Sequence, residues 1–499
     1  MQKSNSARFN RSCSIFALFW LSISIPLGIL WRPTIPDFGQ FYLGGLLATK
    51  GEWSSLYPIP VRWSLDNPGL SMHSVAKPRW KLLGTEKGVP DYTHFMLPPP
   101  SAMLFAPLAR FSYSTAFWIW TGILTLSAWA LGLNSSRIMR QLVGHPTRYE
   151  GVLFLLIALS PVTARAIRVS NVSPVLALFL GISVLGLMKE SRSLKIAFAL
   201  IIGALLKYAT MILAPLLIAL RRWGALFWIG MLGLGSLGLT YLVAGAAPFR
   251  EFYQVIMPTL DRPSAYRGNQ SLAGMLIRLF GRPMPERIAA LLAAARFSSL
   301  MVILTLLAAA PRAKLKAPSV LLAGAGLLLG WLLIFSPIAW EHWPIFICPL
   351  WGWLLWEMRR AGFPKLLAAS SFVLMYFPAG ILQVPGFAAY SILLPEPFNS
   401  SQLVGVVLFT ILAFWRFSSG ISGKPAPMQE ITHIGQLQAD PEGNQTRCEQ
   451  ESCRLEQVRG NSGEGRSRKQ VPQTQHQQKV PRQAITDEAL ESDTLEPAD

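Results

Sequence analysis

Asp37 follows closely on the apolar run CSIFALFWLSISIPLGILW (13–31), so it emerges where a membrane-crossing segment would end. A carboxylate at the edge of an apolar region loses part of its hydration. Its pKa then climbs toward the range of a working general base. Basic and amide side chains gather at other segment ends: Arg165, Arg168 and Asn171 after the run 150–167, and Arg262, Arg267 and Asn269 within 245–287. Guanidinium groups suit phosphate because they can grip two of its oxygens at once. Glu341 and His342 follow the run 317–335, and a histidine there can donate a hydrogen bond or a proton. Lys207 lies inside an apolar run, about 12 residues or roughly 18 Å from its inner end if helical. Such a lysine either faces a phosphate or snorkels to a surface. Tyr42, in the same outer segment as Asp37, joins the set. The catalytic candidates are Asp37 and His342. The substrate-binding candidates are Tyr42, Arg168, Asn171, Lys207, Arg267, Asn269 and Glu341, and no metal-ligand set is expected. Each residue alone also reads as a solvated loop charge; their gathering on one side is the argument for a site.

These residues need elements to hold them, and the composition says which kind. The chain has 499 residues, 52% of them hydrophobic and only 14% charged, with 17 Trp. Soluble domains carry about 25% charged residues. Several runs approach the roughly 20 apolar residues that span a bilayer, including 13–31 and YSTAFWIWTGILTLSAWALGL (113–133). A secretory signal peptide would end in small residues at a cleavage site. WRPTIPDF follows instead, so 13–31 is read as an uncleaved first helix. The expected fold is an all-α polytopic membrane bundle of about 10–12 transmembrane or re-entrant helices.

Lys and Arg set the sidedness, because cytoplasmic loops carry their excess. Lys3, Arg8 and Arg11 hold the N-terminus inside, and Asp37 comes out on the far side. A long polar loop is expected over about 32–95. The stretch YTHFMLPPPSAMLFAPLARF (92–111) is too short and too rich in proline to cross, and reads as re-entrant. Helices 113–133, 150–167 and 173–189 then alternate in direction. The stretch 196–220 has basic residues at both ends, which makes it a hairpin of half-helices broken near Lys207–Tyr208. Helix 223–244 leads to a second outer loop, 245–287. Helices 288–310, 317–335, 343–358, 364–384 and 401–417 complete the bundle.

Net charge is +19, unevenly spread. Residues 418–499 hold 9 Lys and Arg against 13 Asp and Glu, which leaves 36 basic and 13 acidic residues in 1–417. A basic membrane body reflects inside loops, so no nucleic-acid partner is expected. The expected division is 1–417 as the membrane domain and 418–499 as a disordered cytoplasmic tail, too polar to bury a core. Cys448 and Cys453 lie in that tail and are read as free thiols, Cys13 and Cys348 in or beside membrane segments. Six N-x-S/T patterns, at Asn10, Asn134, Asn171, Asn269, Asn399 and Asn444, are short enough to arise by chance.

Six stretches, in order, resemble glycosyltransferase family 87, the polyprenol-phosphate-sugar-dependent group that includes the mycobacterial phosphatidylinositol mannoside mannosyltransferase. They are PDFGQFYLGGLLATKGEWSSLYP (36–58), YTHFMLPPPSAMLFAPLARF (92–111), NVSPVLALFLGI (171–182), GALLKYATMILAPLLIALRRW (203–223), NQSLAGMLIRL (269–279) and SPIAWEHW (336–343). The resemblance implies a GT-C fold with its site facing away from the cytoplasm. It implies a lipid-phosphate sugar donor, typically polyprenyl-phosphate mannose, with Asp37 as catalytic base and His342 in the active site. Members often carry a second histidine where this chain has Trp343, and a glutamine where it has Ser170.

The expected activity is therefore that of a polyprenyl-phosphate-sugar-dependent hexosyltransferase in the inner (plasma) membrane. Its partners are the donor, a glycolipid or glycan acceptor and membrane lipid, and it needs no cofactor. Inverting transfer needs a base for the acceptor hydroxyl and donors for the leaving phosphate. Arg or Lys can serve the phosphate without a metal, and no DxD pair is present near Asp37. Asp37 is followed by Phe38, whereas GT-C protein mannosyltransferases have an Asp-Glu pair in that loop. A transporter or flippase of lipid-linked sugars would share the broken helices and the buried lysine, but the hydropathy pattern lacks the internal repeat common to such folds. A structural subunit of the cell envelope would not need Asp37 and His342 on one side.

Overall fold

The computed structural model describes residues 2–31, 37–58, 76–89, 94–260, 263–264, 268–281, 284–359, 362–376 and 400–422. Among them no β-strand forms, and one isolated antiparallel bridge pairs Asn269 with Trp340. The chain is an all-α polytopic membrane protein. Among the described residues, six helices are long and apolar enough to cross a membrane, or seven if one bent pair counts as a span, and four shorter apolar helices accompany them.

The first helix, α1 (Gln2–Trp31), carries the run 13–31 and extends it back toward the N-terminus. The segment expected as a polar outer loop is partly helical. It contains α2 (Phe38–Thr49), buried along most of its length, and α3 (Pro78–Lys87). The apolar residues of α2 explain this, since Phe38, Phe41, Tyr42 and Leu43 can be shielded only by packing. The re-entrant stretch forms α4 (Pro99–Phe105) and a 3₁₀ turn, Leu108–Arg110. Gly45 of α2 runs against the α4 end so closely that a Cβ would stand 2.6 Å from the Phe105 carbonyl carbon.

Ser112 accepts a hydrogen bond from the Thr115 N–H and so caps α5 (Tyr113–Val143), which Gly144 ends in the left-handed region at φ 84°. The helix expected over 150–167 is broken into α6 (Tyr149–Ala158) and α7 (Pro161–Arg168), bent by 43°. Pro161 has no N–H to continue the ladder, so the helix restarts there. Next come α8 (Ser173–Met188) and the hairpin. The hairpin consists of α9 (Ser193–Leu206), an extended Lys207, the 3₁₀ turn Tyr208–Leu213 and α10 (Ala214–Ala219). The break falls at Lys207, as expected.

Helix α11 (Trp223–Ala244) leads into the second outer region. That region also is largely helical, with α12 (Ala247–Glu251), a π-turn at Phe252–Ile256, α13 (Met257–Leu260) and α14 (Leu272–Phe280). Three helices follow: α15 (Glu286–Ala309), α16 (Arg312–Leu315) and α17 (Pro318–Phe335). The stretch expected as one helix over 343–358 is a 3₁₀ segment, Trp343–Leu350, followed by α18 (Trp351–Glu357). Pro344 and Pro349 remove donors that an α-helix would use. After α19 (Phe363–Tyr376) comes α20 (Ser401–Ser422), five residues longer than expected. The rest of the tail, 423–499, and Arg262 lie outside the described residues.

The core centres on α17, the most buried span. Gly326 lets α20 approach, since a Cβ there would stand 3.1 Å from Phe409 and 3.2 Å from Ala413. Small residues at such crossings allow close van der Waals packing where lipid offers no hydrophobic drive.

Candidate active site

Asp37 sits at the N-cap position of α2 without capping it. Its backbone N–H donates to the Val169 carbonyl (2.8 Å), which ties the start of α2 to the loop after α7. Asn171 Nδ2 donates to Asp37 Oδ2 (2.6 Å). Asn171 Oδ1 in turn accepts from the backbone N–H (3.0 Å) and the hydroxyl (2.5 Å) of Ser173. Between them Ser170 is buried in the left-handed region, at φ 52°, and its carbonyl accepts a bond from Trp120 Nε1 (3.1 Å). Burial pushes the Asp37 carboxyl above its ordinary range. The Asn171 bond and the charges of Lys207 and Arg165 pull it part of the way back.

A basic and imidazole wall faces this carboxylate. Arg165 on α7 donates from Nε to Glu341 Oε1 (2.6 Å). Lys207, at the hairpin break, places its ammonium 3.8 Å from the ring centre of Trp343, within reach of a cation–π attraction. His342 is 6% exposed, and its Nε2 has no hydrogen-bond partner among the described residues. Burial, then the nearby charges of Lys207 and Arg165, hold its pKa well below the usual histidine value, so the ring is neutral.

The loop that carries Glu341 and His342 is braced from behind. Asn269 Nδ2 donates to the carbonyls of Ser264 (2.8 Å) and Pro337 (3.0 Å). Its Oδ1 accepts the N–H groups of Ser271 (3.2 Å) and Ala339 (2.8 Å). The Glu341 N–H donates to the Gly268 carbonyl (2.8 Å), and Gln402 at the start of α20 donates to the Glu341 carbonyl (2.9 Å). Arg278 on α14 donates to the Asn269 carbonyl and to Ser400 (both 2.8 Å).

Together these groups line a cavity of about 330 Å³, a size in the range of small-ligand sites. Its lining includes the charged or polar residues Asp37, Arg165, Asn171, Lys207, Glu341 and His342. It also includes the apolar residues Phe41, Met96, Leu97, Phe252, Leu260 and Ile338. Of the residues singled out in the sequence, Asp37, Asn171, Lys207, Glu341 and His342 meet here. Tyr42 does not line the cavity; it is buried, and its hydroxyl donates to the Phe111 carbonyl (2.9 Å). Asn269 stands behind the loop rather than in the cavity, with both amide ends on backbone. Arg168 runs beside α1, its Cδ 3.4 Å from where a Cβ on Gly28 would be. Arg267 lies outside the described residues.

The cavity also recruits Gln40, His94, Tyr208, Trp340 and Trp343. Gln40 could have been found, because three residues after Asp37 is the same face of a helix. Tyr208, Trp340 and Trp343 are direct neighbours of Lys207, Glu341 and His342, whereas His94 arrives through long-range packing. Among the described residues, no group of three or more His, Cys, Asp or Glu gathers as a metal site would.

A polytopic helical membrane protein with a mixed polar and apolar cavity defines the class. Residues 95–337, just under half of the chain, match the model of glycosyltransferase family 87, a match that implies a membrane glycosyltransferase. Arg165, Asn171, Lys207 and Asn269 fall inside the matched segment, while Asp37 precedes it and Glu341 and His342 follow it. No curated protein matches the chain.

Proposed function

We propose that the protein moves a hexose, with mannose the expected sugar, from a polyprenyl-phosphate sugar to a lipid or glycan acceptor. The acceptor hydroxyl gives its proton to Asp37 as its oxygen bonds to the sugar C1. The C1–O bond to the donor phosphate breaks, and its electron pair leaves with the phosphate. Arg165 and Lys207 offset the charge that builds on that phosphate, and His342, neutral, donates a hydrogen bond within the site. The site faces away from the cytoplasm in a plasma (inner) membrane, with both chain ends inside. Transfer needs no cofactor, since the cationic side chains meet the leaving group's charge.

The observation that supports this most is the cavity itself. Half-buried Asp37 stands in it with a lysine, a neutral histidine and an arginine paired to a second carboxylate, Glu341, among apolar side chains suited to a lipid. A transporter would use the cations but has no need for a carboxylate raised toward a working base. The test is sugar transfer from radiolabelled polyprenyl-phosphate mannose in membranes carrying wild type or Asp37→Asn. Label should enter a new product with wild type and fall by about 10²–10⁴ with the variant. Equal transfer by both would remove Asp37 as the base.

A further inference from the structure

Asp37 is held at two points by the loop 169–173, and the loop is itself tied down. The Val169 carbonyl takes the Asp37 N–H, and Asn171 reaches the Asp37 side chain. Which way the Asn171 amide faces is decided at its other end. The Ser173 backbone N–H can only donate, so the amide must turn its oxygen end toward it. The Ser173 hydroxyl adds a second donor to the same oxygen. With Oδ1 fixed toward Ser173, the NH₂ end must face Asp37. Pro174 follows directly in the first turn of α8, where its ring restricts the backbone of Ser173. On the other side, Trp120 holds the Ser170 carbonyl and so keeps the left-handed bend between Val169 and Asn171.

We propose that Ser173 is a positioning residue: it locks the Asn171 amide so that Asn171 gives its N–H to Oδ2 of Asp37, leaving Oδ1 as the oxygen that receives a proton from the substrate. The assignment rests on the reading of Asp37 as a general base, and it gives Asn171 a role toward Asp37 rather than toward the substrate. The charged and titratable groups that share the cavity with Asp37 are Arg165, Lys207, Tyr208, Glu341, His342 and His94. Among the influences that oppose burial, the Asn171 bond comes ahead of Lys207 and Arg165. Loss of that bond therefore makes Asp37 easier to protonate.

Dicyclohexylcarbodiimide reacts with protonated carboxyls, so its labelling of Asp37 reads the proton without any sugar donor. The full-length protein in proteoliposomes is labelled across a pH series, and the Asp37 peptide is quantified by mass spectrometry. The pH midpoint should rise by about one unit in Asn171→Leu, and by less in Ser173→Ala. Ser173→Thr keeps both donors and should return the midpoint to wild type. In the transfer assay, Ser173→Ala should lower kcat roughly tenfold while KM stays within about twofold. A midpoint in Ser173→Ala equal to wild type, or a Ser173→Thr no better than Ser173→Ala, overturns the lock. Should Asn171→Leu fail to fold, the two Ser173 variants decide alone. The lock and the base reading separate cleanly. Shifted midpoints with no transfer by wild type support the lock and overturn the base. Asp37-dependent transfer with unshifted midpoints does the reverse.

Discussion

At the residue scale, the site depends on what burial does to ionisable groups. Asp37 is raised because its charged form has lost water, and the cations and amide around it recover only part of that cost. A base acts deprotonated, so transfer falls as pH drops through the pKa of Asp37. Because that pKa is raised, the acidic limb of kcat/KM should lie above the ordinary carboxylate value of about 3.9. A pH–rate profile checks this, and a limb at the ordinary value would mean that Asp37 is solvated during turnover. His342 moves the opposite way for the same reason, with neighbouring cations adding to burial. It is therefore suited to giving a hydrogen bond as a neutral ring rather than to carrying a charge.

At the element scale, the loop 336–343 keeps its shape through Asn269 more than through its own residues. One amide satisfies two carbonyls and two N–H groups drawn from the second outer region and from the loop itself. Asn269→Ala leaves those buried groups without it, each at a cost of about 1–3 kcal/mol. The variant should unfold at a lower temperature in detergent, and transfer should fall with kcat because Glu341 and His342 lose their frame. Unchanged stability would mean that neighbouring groups or water replace the amide. The break at Lys207 is the other element that matters. An unbroken helix through 193–219 would carry the lysine along the bundle, whereas the extended residue swings it over Trp343 and into the cavity.

At the scale of the whole molecule, α20 closes the bundle against α17 and α19, and a buried ion pair helps to join it to α18. Arg416 Nε donates to Glu357 Oε1 (3.1 Å), with side chains only 9% and 0% exposed. Removing one partner of such a buried pair costs about 3–5 kcal/mol. Replacing both with apolar residues of similar size costs far less. Thermal unfolding should thus rank Arg416→Leu as less stable than the double variant Glu357→Leu with Arg416→Leu. The reverse order would show that the pair contributes net stability. The distribution of basic residues agrees with this architecture, with 36 Lys and Arg against 13 acidic residues in 1–417. We propose that this excess faces the cytoplasm, opposite the cavity.

The sequence alone determined the class of the molecule, because apolar runs of membrane length have few other places to go. It also marked the break at Lys207 and the restart at Pro161, since local chain chemistry decides those. Asp37, Asn171, Lys207, Glu341 and His342 were legible as a group because all sit at the ends or breaks of apolar segments. Which of the marked residues line the cavity was decided only by the tertiary structure. Tyr42 and Asn269 look like site residues in the sequence, yet each spends its polar atoms on backbone groups, most of them far along the chain. His94 enters the cavity because segments from distant parts of the chain converge there. The outer segments gave the same lesson. Their polar composition suggested loops, but α2 and α14 form because their apolar faces find cover only once the bundle is assembled.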